Sequence, residues 1–313
     1  MNKFLTLTDL LLLAADALRK NRLRTVLSVF GIVIGISTLI LVLGISSAAQ
    51  GFIRDQLASF GTDTIFIEVK VPDADEATSG AALATGVQIQ TMKVSDVLGV
   101  RKLPNVKDSY GAVMGQEKAV YRENARTGII FGTMASFVNI DASKVAEGRF
   151  FTQSEDDSLA RVAVIGQTVK KDLFGSEDPL GKNIRIKNVS FKVIGVMEER
   201  GAAFFQNYDE YIYLPLKSEQ KLLLGYDHLP YFVVQVKDSD QMSVTGDDVK
   251  RFLRRQHGIQ GNDPKKDDFA VSTSEESLAS IAIVFGAVSL LFGAIASISP
   301  VHWKDNSWAF PVQ

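Results

Sequence analysis

The amino-acid sequence predicts a membrane protein: an α+β extracytoplasmic domain of two parts, held between two transmembrane helices. Three observations carry this. Two uncharged apolar stretches, 25–50 and 278–299, are each long enough to cross a hydrocarbon core, which takes roughly 20 helical residues. Residues 51–277 between them have ordinary globular composition, with short β-patterned runs alternating with helical ones. Basic residues crowd one flank of the first stretch and not the other.

Residues 1–24 read as an amphipathic helix lying in the cytoplasmic membrane interface, with Leu10, Leu13, Ala14 and Ala17 on one face and lipid as their partner. Arg19, Lys20, Arg22 and Arg24 follow, whereas the far side of the first apolar stretch offers only Arg54 beside Asp55. The positive-inside rule therefore puts the N-terminus in the cytoplasm and 51–277 outside it, in a cell membrane. A cleaved signal peptide is the competing reading, but the apolar core is too long for one and starts too late. Gly31 and Gly35 stand one turn apart in the first stretch, a spacing that lets two helices approach closely.

Within 51–277, "DTIFIEVKV" alternates as a strand, and "PDADEATSGAALATG" reads as a loop or hairpin tip. "VSDVLGVRKLPNV" predicts a short helix capped by Ser95 and stopped by Pro104. Short strands follow around 110–121 and 127–133. From Gly148 a strand "RVAVIG" feeds a helix "QTVKKDLFG", and "NIRIKNVSFKVIGVM" is a strand pair turning at Lys187–Val189. "EYIYLPL" is a strand opening into a helix at "KSEQKLLLG". "YFVVQVKD", "GDDVKRFLRRQHG" and "DFAVSTS" read as strand, helix and strand. Residues 148–216 are expected to form an inserted smaller subdomain.

Several chemistries are excluded. The formal net charge of -2 offers no basic excess, so no nucleic acid is expected as partner. No cysteine is present, which removes disulfides, thiolate metal sites and cysteine nucleophiles. "GSEDPLGKN" looks like a phosphate loop but has the wrong glycine spacing, and Asn183 stands where a magnesium-binding hydroxyl belongs. His228, His257 and His302 are dispersed, with no metal-ligand spacing, and each is read as a surface or structural residue. "SEDD" (154–157) and "DPKKDD" (263–268) are read as solvated loops, and "RFLRRQH" (251–257) as the polar face of a helix. No catalytic site, cofactor or metal is expected, so the domain should bind, transmit or sense.

"NRLRT" (21–25), "FGIVIG" (30–35) and "SFGTD" (59–63) resemble the opening of MacB-type ABC transporter permeases, which are related to FtsX-type permeases. "GRFF", "RVAVIGQTVKKDLFG", "DPLGKNIRI", "FKVIGV" and "YIYLPL", in that order, resemble the periplasmic core domain of the same family. The resemblance implies a porter-like part with an inserted smaller part, and a permease that pairs with another permease. It also implies a separate cytoplasmic ABC ATPase whose motion reaches the external domain (mechanotransmission), and a periplasmic adaptor or outer-membrane partner. Such a chain is not itself an enzyme.

The family continues past the second membrane helix, whereas residues 300–313 form an atypical tail. Pro300 would stop the helix, and Trp303 and Trp308 would sit at the interface. A one-base shift would turn parts of this tail into residues closer to the family pattern, so a truncated, non-coupling permease is one expectation. A stand-alone membrane-anchored binding or sensor module is the other alternative to an exporter permease.

Overall fold

The computed structural model describes residues 19–20, 22–58, 63–72 and 89–276, apart from 142, 204–205, 262 and 275. The expected interfacial helix up to residue 18, the second apolar stretch 278–299 and the tail 300–313 lie outside these residues. The chain divides into two compact units: Met1–Arg54 with Ala279–Gln313, and Asp55–Leu278.

The described part of the first unit is helical. Arg19 and Lys20 are helical and exposed, and α1 runs from Arg22 to Ala58 over 37 residues. At about 1.5 Å per residue it is longer than a hydrocarbon core is thick. Its apolar side chains stand exposed on successive positions, Phe30, Ile32, Val33, Ile34 and Ile36 among them, so no single face is buried. Thr38 turns its hydroxyl back to the Ile34 carbonyl at 2.8 Å, which satisfies a polar group among apolar neighbours. Taken over the described residues alone, no helix is long and apolar enough to cross a membrane. Side chains at 24, 28, 39 and several positions beyond 41 lie outside that set.

The second unit is built on one mixed sheet. Its strands are β1 (Thr64–Val69), β2 (Val106–Tyr121), β3 (Asn124–Thr133), β4 (Val145–Gly148), β5 (Val162–Ile165), β6 (Asn183–Ile186) and β7 (Val189–Met197). A separate small pair, β8 (Ala202–Ala203) and β9 (Gln206–Asn207), precedes β10 (Tyr211–Pro215), β11 (Tyr231–Val236) and β12 (Phe269–Thr273). The order across the sheet is β12-β1-β11-β2-β3-β10-β5-β7-β4, with β6 bridging β2 and β7.

Two apolar clusters cover this sheet. In the first, Ile65, Ile67, Phe232 and Val234 meet Val97 of α2 (Val94–Val100) and Val249 and Leu253 of a longer helix, Met242–Gln256. In the second, Ile165, Ile184, Phe191, Ile212 and Leu214 meet Val169 and Leu173 of α3 (Gln167–Phe174). The longer helix, α4 (Met242–Gln256), buries Met242, Thr245, Gly246, Val249 and Leu253, a three-and-four spacing that puts one face on the sheet. Residues 148–216 supply β5, β6, β7 and β10 to the common sheet and most of the second cluster.

Two local readings change. β2 and β3 are one long hairpin, paired from Ala112↔Thr133 to Tyr121↔Asn124 and turned at Arg122, whose φ is 51°. Glycines at 111, 115, 128 and 132 interrupt the apolar alternation and make the strands look shorter in the sequence. The N-cap of α2 is Lys93 and not Ser95, and Asp96 at the third helical position accepts the Lys93 N–H at 2.7 Å. The strand pair β6–β7 turns where expected, at Lys187 with φ 51°. "GSEDPLGKN" is a turn between α3 and β6, with Gly175 and Gly181 at positive φ.

Candidate functional site

The first and last strands of the domain meet at one edge of the sheet. β1 follows α1, and β12 precedes the second apolar stretch. These two strands lie side by side, antiparallel, from Ile65↔Thr273 to Val69↔Phe269. Next to this ladder the Thr64 and Ser274 hydroxyl oxygens are 2.9 Å apart. Thr273 and Glu276 then form a capping box: the Thr273 N–H donates to the Glu276 carboxylate at 2.8 Å, and the Glu276 N–H donates to Thr273 Oγ1 at 3.0 Å. Helical geometry thus begins directly at the end of β12.

Beneath α2 and α4 the same region holds a buried imidazole. His257 is 5 % exposed; its Nδ1 lies 2.7 Å from Asp268 Oδ1, and its Nε2 lies 3.4 Å from Asp96 Oδ2, an ion-pair distance. Burial alone would lower its pKa. The hydrogen bond to Asp268 and the charges of Asp268 and Asp96 outweigh burial and raise it to about 9. Arg254 makes a two-pronged bridge to Asp267 at 2.7 and 2.8 Å. These contacts fasten α2, α4 and the start of β12 to one another.

A second polar centre lies in the aromatic layer. Phe131, Phe137 and Tyr213 pack together, Phe131 edge-to-face on the other two, with ring centroids 5.3–5.7 Å apart. Arg200 Nη1 reaches Asp141 Oδ1 at 2.6 Å and Ser143 Oγ at 2.9 Å, and its guanidinium sits 4.5 Å over the Tyr208 ring. Asp209 accepts the backbone N–H groups of Arg200 at 2.9 Å and Gly201 at 2.8 Å. Burial pushes the phenols of Tyr208 and Tyr211 up, Tyr211 to about 12, so both stay neutral at ordinary pH. A cavity of about 210 Å³ opens here, lined by Ser143, Lys144, Met197, Glu198 and Glu199 together with Arg200 and Tyr208.

A third group is Glu219, fully buried on the glycines of β2 and β3. Among the described residues neither carboxyl oxygen has a partner of good hydrogen-bond geometry. Burial raises its pKa to about 8, against a smaller lowering by the adjacent Gly132 backbone.

The model of the MacB-like periplasmic core domain matches residues 25–252. The chain belongs to that family. It is 29% identical over 299 residues to the macrolide export ATP-binding/permease protein MacB of Wolinella succinogenes, a match covering 94% of this chain and 44% of the relative. It is also 29% identical over 281 residues to the pyoverdine export ATP-binding/permease protein PvdT of Pseudomonas savastanoi pv. phaseolicola, covering 89% and 40%. The chain therefore spans less than half the length of these curated relatives. The fold is similar to the periplasmic region of MacB from Actinobacillus actinomycetemcomitans, with a TM-score of 0.60 at 21% identity over 72% of this chain and 95% of that one. The extracellular domain of YknZ, a noncanonic ABC-type transporter from Gram-positive bacteria, matches with a TM-score of 0.53 at 23% identity, over 67% of this chain and 99% of that one.

This MacB-like chain places the residues singled out in its sequence as follows. Gly31 and Gly35 are half-buried on one face of α1, and a Cβ at either would meet nothing within 4 Å. Arg19, Lys20 and Arg22 are exposed; Arg24 is helical, its side chain outside the described residues. The acidic runs are not simply solvated. Asp156 of "SEDD" is 1% exposed and accepts the Lys217 N–H at 3.0 Å; burial raises its pKa to about 6. Asp267 and Asp268 of "DPKKDD" are the partners of Arg254 and His257. Sequence reasoning missed the Arg200 centre and Glu219. Glu219 sits among polar neighbours in "KSEQKLLLG", so its own segment gave no signal of burial.

Proposed function

We propose that the chain is the permease part of an ABC-type exporter. On this reading α1 crosses the inner membrane, the Arg19–Arg24 cluster is cytoplasmic, and Asp55–Leu278 works outside. A separate ABC ATPase supplies ATP binding, and the domain transmits motion without catalysing a reaction. The length of α1, its exposed apolar side chains and its basic N-terminal flank support the crossing. The half-buried Gly31 and Gly35 support close packing of α1 on another helix, in keeping with a permease pair.

One observation carries the mechanical part: the pairing of β1 with β12. Two membrane stems that continue into neighbouring strands deliver their motion to a single sheet edge. A hydrogen-bonded sheet with close-packed clusters on it passes that motion on as a rigid body. Export of cargo on the outer side then needs no catalytic group in the domain. Macrolide and pyoverdine, named for the two relatives, share little chemistry, which fits a common mechanism serving different cargo. An adaptor or outer-membrane partner belongs to the same proposal.

Co-purification tests it. The tagged full chain, solubilised from membranes of its source cells in mild detergent, should bring down an ABC ATPase in about equal amount. Recovery of the chain without any ATPase, from cells that express ABC ATPases, would leave a membrane-anchored binding or sensor module instead.

A further inference from the structure

We propose that the cavity beside Arg200 binds a primary ammonium group carried on an aromatic or short aliphatic stem. The size sets the first limit. At about 210 Å³ the space exceeds the roughly 150 Å³ that admits benzene, yet lies below the ~300–1,000 Å³ of sites for drug-sized molecules. It takes one ring or a few methylenes with one polar head.

The walls set the second limit. Tyr208, Tyr213 and Met197 supply apolar and aromatic surface, which suits such a stem and attracts a cation at the ring faces. Hydrogen bonds from backbone to Asp209, and from Arg200 to Asp141 and Ser143, hold these walls in place before any ligand arrives.

Charge decides the sign of the head group. Arg200 is neutralised by Asp141 at 2.6 Å, and Asp209 is satisfied by two backbone N–H groups. What remains around the cavity is the buried Asp209 carboxylate, whose charge those neutral donors do not cancel, with exposed Glu198 and Glu199, against exposed Lys144. Among the described residues neither glutamate has an ion-pair partner. The excess is two negative charges, three carboxylates against one Lys144, so an ammonium group is attracted and a carboxylate is repelled.

This inference goes beyond the exporter reading and is independent of it, because it concerns binding by the chain alone. The test uses the full chain in detergent micelles and ligand-observed saturation-transfer NMR. Benzylammonium chloride is the probe; benzyl alcohol and benzoate are the controls. Saturable millimolar binding of benzylammonium is expected, with benzyl alcohol weaker and benzoate absent. The double change Glu198→Gln with Glu199→Gln, at two exposed positions and with folding checked by circular dichroism, should weaken benzylammonium by about fivefold, the scale of a partly solvated charge. Equal binding of benzyl alcohol, binding of benzoate, no saturable binding of benzylammonium, or an unchanged affinity in the double variant would each overturn the assignment.

Discussion

Thr64 and Ser274 face each other across β1 and β12, their hydroxyl oxygens 2.9 Å apart, with Ser274 Oγ also donating to the Thr64 carbonyl at 2.9 Å. They sit at opposite ends of the domain's sequence and at one point of its sheet. Their neighbours Ile65 and Thr273 are in register, where Cα separations are about 4.5–5.5 Å, and the close approach of the two hydroxyls puts Thr64 and Ser274 within the reach of a disulfide. The chain has no cysteine of its own, so Thr64→Cys with Ser274→Cys should close a single internal disulfide on mild oxidation. A faster-migrating band on a non-reducing gel, lost with reductant, checks this. Absence of the band in folded protein would separate the two strands.

The His257 contacts make stability depend on pH. Its folded pKa, about 9, lies above the unfolded value of roughly 6.5. The stabilisation is therefore complete below about pH 6.5 and is lost as pH rises through 9. His257→Gln should cost on the order of 2 kcal/mol near pH 6, allowing for solvent screening, and little near pH 10. Thermal unfolding from pH 6 to 10 compares the two chains.

Glu219 produces a slope of the same sign from the opposite chemistry. Its folded pKa of about 8 is raised above the unfolded carboxyl, so the folded state is penalised progressively as pH rises from about 4 to 8. Glu219→Gln cannot ionise. It should stabilise the domain by on the order of 2–4 kcal/mol at pH 9 and leave it nearly unchanged at pH 4. Denaturant unfolding at the two pH values distinguishes it from His257→Gln, which destabilises.

Gly132→Ala tests the seat of that carboxyl. A Cβ at Gly132 would collide with the Glu219 side chain, which has no solvent to retreat into. A loss of about 2–3 kcal/mol is expected from overpacking. Combining it with Glu219→Ala should recover part of the loss, a non-additivity that a double-mutant cycle reads.

Asp141 is the counter-charge that keeps Arg200 in the aromatic layer, with side-chain exposures of 2% and 16%. Asp141→Asn removes the carboxylate charge from the Arg200 pair and should cost about 3 kcal/mol in unfolding free energy. Asp141→Asn with Arg200→Gln should cost less than the sum of the single changes.

The legible parts of this fold were those with local causes. β1, β7, β10 and β11 announce themselves by apolar and β-branched residues, and α4 by its three-and-four spacing. The β2–β3 hairpin was harder to read because its glycines serve contacts from outside the strands: Gly132 makes room for Glu219, and Gly111 for Leu229. His257 looked like a lone histidine because Asp96 and Asp268 reach it only through the docking of α2 and α4. The Arg200 cavity draws on positions from 143 to 213, a pattern that no spacing rule encodes.

Single-cysteine labelling gives the most direct test of transmission from a cytoplasmic ATPase to an external domain. Glu123 is exposed at the β2–β3 turn, and Asn21 lies among the basic residues before α1. In spheroplasts, a membrane-impermeant maleimide should label Glu123→Cys at once and Asn21→Cys only after permeabilisation. Labelling of both positions from the same side would contradict it, because a stem that does not cross the membrane has no motion to deliver to β1 and β12.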